Sequence, residues 1–385
     1  LKPGKLLKKK LSITSVRVNS PTIRLNREDP ESEPNYAFLT SLFGSGDEPM
    51  SFRANSVLIR NGSIRYDLRS AEWTDSLFNL NHIGVNGLTA NLSLKELNQD
   101  SVSVIIRKFT FSEQSGFVLS RAKGTVNIGR YGTDLSGFIF STPSSELQAK
   151  RLSANAGFAT RINGLPDLDI DIKATLTGSD YMAFYPQLAY LTTPIDLSVK
   201  SNGRNGDLNL KALYIQVPDS VFEFGMSGTV MLDTAFRITG CRYADAHGAF
   251  SDELPNWITD QFQGFGLTIP DQLYSLGDGS FKAGYENRSG SSSASLEILS
   301  QAGNITCNID GTNDSYDGTL AASDVNLRVI TGNKDLGNCS LTARTEITRQ
   351  EDGYSGNFNG RIGSLRYKRY NYRGIDVNGS FSPDL

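Results

Sequence analysis

The chain has 385 residues, more than one compact core usually holds, and its 38% hydrophobic and 21% charged content excludes wholesale disorder. Thirty-eight Lys and Arg nearly balance 41 Asp and Glu, with no concentrated basic face, which argues against a nucleic-acid partner. Thirty-seven Gly among many Ser, Thr and Asn point to short strands and tight turns.

The first ten residues hold Lys2, Lys5, Lys8, Lys9 and Lys10 around Leu6 and Leu7, which reads as a solvated face beside a strand in preference to a membrane-surface segment. Strand-like runs follow at Leu11 to Val18 and Thr22 to Asn26, broken by Pro21. An acidic linker, Glu28 to Pro34, then leads to a short amphipathic helix predicted over Asn35 to Phe43.

From Ser51 the dominant period is two. Leu168, Ile170, Ile172, Ala174 and Leu176 alternate with Asp169, Asp171, Lys173 and Thr175. Phe222, Phe224, Met226, Gly228, Val230 and Leu232 share one parity, as do Cys339, Leu341, Ala343 and Ile347. Side chains alternate across a strand, so each run has one apolar and one wet face, the pattern of antiparallel sheet. Hairpin turns are predicted at Asn61-Gly62, Asn86-Gly87, Asn163-Gly164, Asn202-Gly203, Asp278-Gly279, Asp317-Gly318 and Asn378-Gly379. The runs between turns number roughly 23, which at ~4.8 Å spacing would extend on the order of 110 Å.

Helices are expected at Tyr181 to Leu191 and Leu254 to Phe262, with a turn over Pro270 to Leu276. Trp257, Ile258 and Phe262 would let the second of these cover a sheet end. Ser289 to Ser295 reads as a loop. These interruptions divide the chain into residues 1–50 (strands, linker, helix) and three β sections, 51–178, 179–278 and 279–385.

Motifs of chemistry are scarce, and no enzyme activity is expected. His82 and His247 lie far apart without metal-ligand spacing. Cys241, Cys307 and Cys339 lack C-x-x-C spacing and fit buried apolar strand positions, or one disulfide with a spare thiol. Asp310, Asn313, Asp314 and Asp317 do not have the spacing of an EF-hand loop, and a hairpin explains them. Asp169 and Asp171 share the wet face of one strand, which argues exposure rather than a glycosidase pair. No cofactor or metal is called for.

What the residues do establish is an imbalance: much one-sided strand, and few helices to cover it. The apolar faces must meet each other, as in a sandwich or barrel, or meet something apolar that is not protein. Two acyl chains of ~16 carbons cost roughly 25 kcal/mol to carry naked through water, so an apolar trough would lower that barrier.

The stretch ANSVLIRNGSIRYDL (Ala54 to Leu68) resembles the repeated strand–Asn-Gly–strand units of the AsmA-like/TamB family, and Leu165 to Leu188 and Pro194 to Val217 are similar to other repeats of it. KDLGNCSLTARTEI (Lys334 to Ile347) and GNFNGRIGSLRYKRYNYRGIDVNGSF (Gly356 to Phe381) resemble the TamB branch most strongly. The resemblance implies a mainly β chain, a long antiparallel, twisted sheet curled into an elongated, taco-like groove with a few short helices. It also implies a periplasmic section of a protein held in the inner membrane of a Gram-negative bacterium by an anchor outside this sequence. The implied function is phospholipid transport between inner and outer membranes. Alternatively, the section would be a scaffold or chaperone for outer-membrane barrel and autotransporter assembly with a BamA-type barrel partner. On this reading Leu168, Ile170, Ile172, Leu176, Phe222, Phe224, Met226, Val230, Leu232 and Leu341 line the groove and meet phospholipid acyl chains.

Overall fold

A computed structural model describes residues 10–37, 51–74, 76–98, 100–158, 166–204, 206–233, 237–288, 290–312, 314–351 and 353–382. The chain is mainly β with a few short helices, and it divides into two compact units, Leu1–Asn205 and Gly206–Leu385.

The first unit holds β1 (Lys10–Asn19), β2 (Thr22–Arg27), β3 (Ser51–Leu68), β4 (His82–Leu97), β5 (Val102–Glu113), β6 (Val118–Ile128), β7 (Thr133–Ser141), β8 (Glu146–Ala154), β9 (Leu168–Leu176) and β10 (Ile195–Arg204). From β3 to β10 each strand pairs antiparallel with the next. β1 and β2 both run parallel to β3, one after the other along its 18 residues, so the sheet is mixed rather than purely antiparallel. Pro21 explains the break: it has no N–H to donate, and its carbonyl instead accepts from Ser63 N at 2.8 Å.

The second unit is an antiparallel meander of β11 (Asp207–Val217), β12 (Phe222–Leu232), β13 (Ile238–Phe250), β14 (Gly279–Arg288), β15 (Ser291–Ser300), β16 (Gly303–Thr312), β17 (Ser315–Asn326), β18 (Leu336–Gln350), β19 (Gly353–Tyr367) and β20 (Tyr370–Phe381). Helix α1 (Leu254–Gln261) follows β13, and α2 (Leu327–Thr331) follows β17. In neither unit does a described pairing join the first strand to the last, so neither sheet closes into a barrel.

Several expected turns are not turns. Asn61-Gly62 and Asn86-Gly87 lie inside β3 and β4, where the register shifts around them and Asn61 (φ 50°) and Gly87 (φ 63°) adopt left-handed conformations. Positive φ serves a β-bulge as well as a hairpin. Asn202-Gly203, Asp317-Gly318 and Asn378-Gly379 also sit within strands, and Gly279 opens one. At Gly379 the missing side chain leaves room for the Phe358 ring opposite, whose Cε1 would lie 2.4 Å from an added Cβ. The chain reverses instead at tight turns such as Pro218–Ser220, where Asp219 and Ser220 have φ near 60°.

The helix expected over Leu254 to Phe262 forms, and the turn expected over Pro270 to Leu276 is a 3-10 turn, Asp271–Ser275. The Tyr181 to Leu191 helix is corrected to two 3-10 turns, Gly178–Tyr181 and Pro186–Tyr190. Pro186 cannot donate into a continuing helix, and it opens the second turn at N1. The Ser289 to Ser295 loop is also corrected: Ser291 onward belongs to β15, paired residue for residue with β14. The roughly 23 strands expected become twenty among the described residues, since mid-strand glycines do not end strands. The Asn35 to Phe43 helix falls mostly outside the described residues, as do Asn163-Gly164 and Lys2, Lys5, Lys8 and Lys9.

Candidate functional site: an uncovered apolar face

Strand register decides which side chains share a face. In the second unit one row of paired residues crosses all ten strands: Ile215, Phe224, Gly248, Phe281, Ile298, Ile305, Ala322, Leu341, Ile362 and Ile375. With nine gaps at ~4.8 Å it spans roughly 43 Å. The row has one glycine, and packing explains it. A Cβ on Gly248 would lie 2.7 Å from the Phe281 ring, which fills the space and stacks on Phe224 at 6.3 Å between centroids. Phe222 stacks on Phe224 in turn at 6.5 Å.

The first unit builds the same kind of face. Val16, Val57, Leu92, Ile106 and Gly124 pair in succession across β1 and β3 to β6. Phe138, Ala149, Ile172 and Val199 continue in β7 to β10. Gly124 (φ 149°) again receives a ring, that of Phe138, whose Cδ2 would be 2.8 Å from an added Cβ.

Sequence parity thus places Leu168, Ile170, Ile172 and Leu176 together on the face of the first unit, each paired to a small or apolar residue of β10. It places Phe222, Phe224, Met226, Val230 and Leu232 on one face of β12, with Leu341 on the row containing Phe224. All ten are half-buried rather than buried. On this face of the second unit Leu296, Ile309, Leu320, Phe358, Val377 and Phe381 stay 36–40% exposed, so no second layer of described residues covers them.

The opposite faces are wet. Asp169 pairs across to Ser153 and Asn202 and lies 3.6 Å from the Arg151 guanidinium, while Asp171 pairs to Arg151 and Lys200. In the second unit, Lys282, Glu297, Thr306, Thr342, Arg361 and Asp376 occupy the side away from the apolar row. Two shallow concavities of about 490 and 670 Å³ open mainly on polar-face side chains, His247 and Lys282 in one, Arg344 and Arg361 in the other. Ala283 and Leu296 line the first and Leu320 and Ala343 the second, beside these charged groups, Thr306 and Asn308.

Among the described residues the helical connections of each unit lie at one end of its strands, because they join alternate strand pairs of a meander. In the first unit Phe117, Leu119, Ala122 and Ala183 form a buried cluster with Phe109, Phe111, Phe138, Phe140 and Tyr181, so the 178–191 segment covers the apolar face at that end. His82, which opens β4, is 1% exposed and stacks on Trp73 at 3.9 Å. Its ring nitrogens lie 3.3 Å from Asp67 Oδ1 and 3.0 Å from the Ala71 carbonyl. Glu113 is buried nearby and accepts from Gly84 N at 3.0 Å and Ser115 N at 2.7 Å. In the second unit α1 packs beside the 271–275 turn, with Thr259 Oγ1 2.8 Å from Tyr274 Oη, and α2 packs on that turn and on β18. His247 is exposed in mid-strand.

The three cysteines are unpaired. Cys241 and Cys307 sit half-buried opposite Val230 and Leu296, and burial pushes the Cys339 thiol pKa up. Asp310 and Asp317 face each other across β16 and β17. Among the described residues no three His, Cys, Asp or Glu side chains are grouped to hold a metal, and no helix is long and apolar enough to cross a membrane. The bulges, the glycine sockets and the end cluster around Phe117 were not predicted from sequence; only the aromatic density of Phe109, Phe111 and Phe117 marks the cluster there. No protein-family profile, curated protein or solved structure matches the chain.

Proposed function

We propose that this chain is a section of a periplasmic, AsmA-like/TamB-type bridge that carries phospholipid acyl chains along its apolar face, between the inner and outer membranes. The observation that carries the reading is the row from Ile215 to Ile375, apolar or glycine at every strand and nowhere but Gly248 buried, with Leu296, Ile309, Leu320, Phe358, Val377 and Phe381 exposed on the same face. An exposed apolar strip of this extent is costly in water unless a ligand shares it. Acyl chains suit it, because dispersion contacts along a uniform strip are non-directional and let a chain slide. The wet faces keep the section soluble on the other side. Lipid extraction and mass spectrometry of the purified chain test the reading: phospholipid should co-purify and be displaced by added fatty acid. A preparation free of lipid that also takes up none would reject it.

A further inference from the structure

The connections at the capped end of the first unit carry large apolar side chains on the outside as well as the inside. Ala183 and Tyr181 face inward, Tyr181 6.4 Å from Phe117, while Phe184 packs 5.1 Å from Phe117 and stays 38% exposed. The 69–81 connection is tied to this segment by Phe78 N donating to Ala183 O at 2.8 Å and by Phe78 against Phe184 at 4.9 Å. Outward from this junction stand Leu77, Leu80, Met182, Tyr185 and Tyr190, with Leu80 71% and Tyr185 66% exposed. Scattered exposed apolar residues need no explanation; a cluster on two mutually bonded connections does.

Charge says what kind of surface fits. From Tyr181 to Ile195 there is no Asp, Glu, Lys, Arg or His. The acid just before, Asp180, is turned inward, accepting from Ser144 N at 2.9 Å, Ser145 Oγ at 2.9 Å and Thr142 Oγ1. Exposed Tyr with Leu and Met on an uncharged stretch is the composition of a bilayer interface, where an amphipathic ring keeps its hydroxyl wet and its body among acyl chains.

We infer that the 77–80 and 181–190 connections dock the first unit directly on a phospholipid bilayer, by shallow insertion of Leu80, Met182 and Tyr185 into a zwitterionic surface. On the 69–81 connection the exposed Arg69 is paired with Glu28 and the exposed Glu72 is acidic, so neither leaves a free cation for anionic lipid, and salt and lipid charge have little influence on this contact. Because the inner side of the same segment packs on Phe117 at the strand-end margin of the apolar face, docking would lay that margin, along the side of the row, against the bilayer. This last clause alone rests on the conduit reading.

The test is flotation of the full chain with phosphatidylcholine vesicles, alone and with phosphatidylglycerol added, at low and high salt. Hydrogen exchange is followed on the same samples. Binding should survive high salt, with amides of 77–80 and 181–191 protected by vesicles and the mid-strand amides unchanged. Leu80→Glu with Tyr185→Glu should keep the native melt, because both side chains are mostly exposed, and should reduce partitioning roughly tenfold. Absence of flotation overturns the inference and assigns the patch to a protein contact. Flotation that salt abolishes, or that the double variant retains in full, also overturns it, because attachment would then run through the lysine-rich start or another surface. Lipid co-purifying with the chain is measured separately. Its presence in a double variant that no longer floats leaves the conduit standing, and flotation of a chain with no bound lipid leaves the docking surface standing.

Discussion

Phe224→Asp separates an uncovered apolar strip from a closed core. The ring is half-buried and stacks on Phe222 and Phe281. Each ring pair contributes about 0.5–1.5 kcal/mol, and losing a half-buried Phe side chain removes about 1 kcal/mol more. The new carboxylate stands among Ile215, Phe222, Met226 and Phe281, all half-buried rather than buried, so it hydrates in place and adds little further cost. The sum is about 2–4 kcal/mol, or roughly 4–16 °C in melting temperature for a unit of this size. In a closed core the buried, unpaired charge would add another ~3–5 kcal/mol and unfold the unit. Lipid occupancy should fall sharply, because a sliding chain must strip the carboxylate of water. Thermal unfolding and lipid mass spectrometry, with Glu223→Lys on the exposed opposite parity as control, check both halves. Loss of the fold would refute the uncovered strip. Native lipid occupancy in a folded variant would refute the placement of lipid on it.

Gly248→Ala should destabilise by about 1–3 kcal/mol in urea unfolding, since its Cβ would meet Glu223 O at 2.5 Å and the Phe281 ring at 2.7 Å. Asp180→Ala removes three acceptor contacts, and faster hydrogen exchange in 142–145 and 178–191 should accompany a loss of about 2–4 kcal/mol. Burial raises the Cys339 pKa, so in alkylation followed by mass spectrometry it should react last, after Cys241 and Cys307. The sign for stability follows from the same shift: the contribution is full below the unfolded thiol's pKa and is lost as pH rises through the raised, folded value. Cys339→Ala should flatten the alkaline limb of a stability-versus-pH curve.

Alternation was the legible part of this fold. Leu168 to Leu176 and Phe222 to Leu232 each keep one parity because period two is local, and cross-strand pairing preserves it. The glycines misled, because Asn-Gly has the same left-handed preference in a hairpin and in a bulge, and only the partner strand distinguishes them. Asn86-Gly87 is a bulge because β5 continues past it to Glu113. The parallel pairing of β1 and β2 could not be read, since a half-buried strand alternates alike in either direction. The α2 segment LRVIT resembles strand by composition and becomes helical where β17 ends, stopped by Gly332 at φ 69°. The candidate face was legible strand by strand. Its continuity was not, because that depends on register across ten strands and on Gly248 and Gly124 yielding space to rings from their neighbours.

Site-specific photo-cross-linking tests the central claim most directly. A photoreactive residue is placed in turn at Phe224, Ile298, Leu341 and Ile172 on the apolar faces, and at Glu223, Glu297, Thr342 and Asp171 on the wet ones. Chains purified from a phospholipid-containing host are irradiated, and mass spectrometry reads covalently attached lipid at each position. The account predicts lipid adducts at the four apolar positions and none at their four neighbours. Adducts equally distributed over both parities, or absent from the apolar positions, would contradict it.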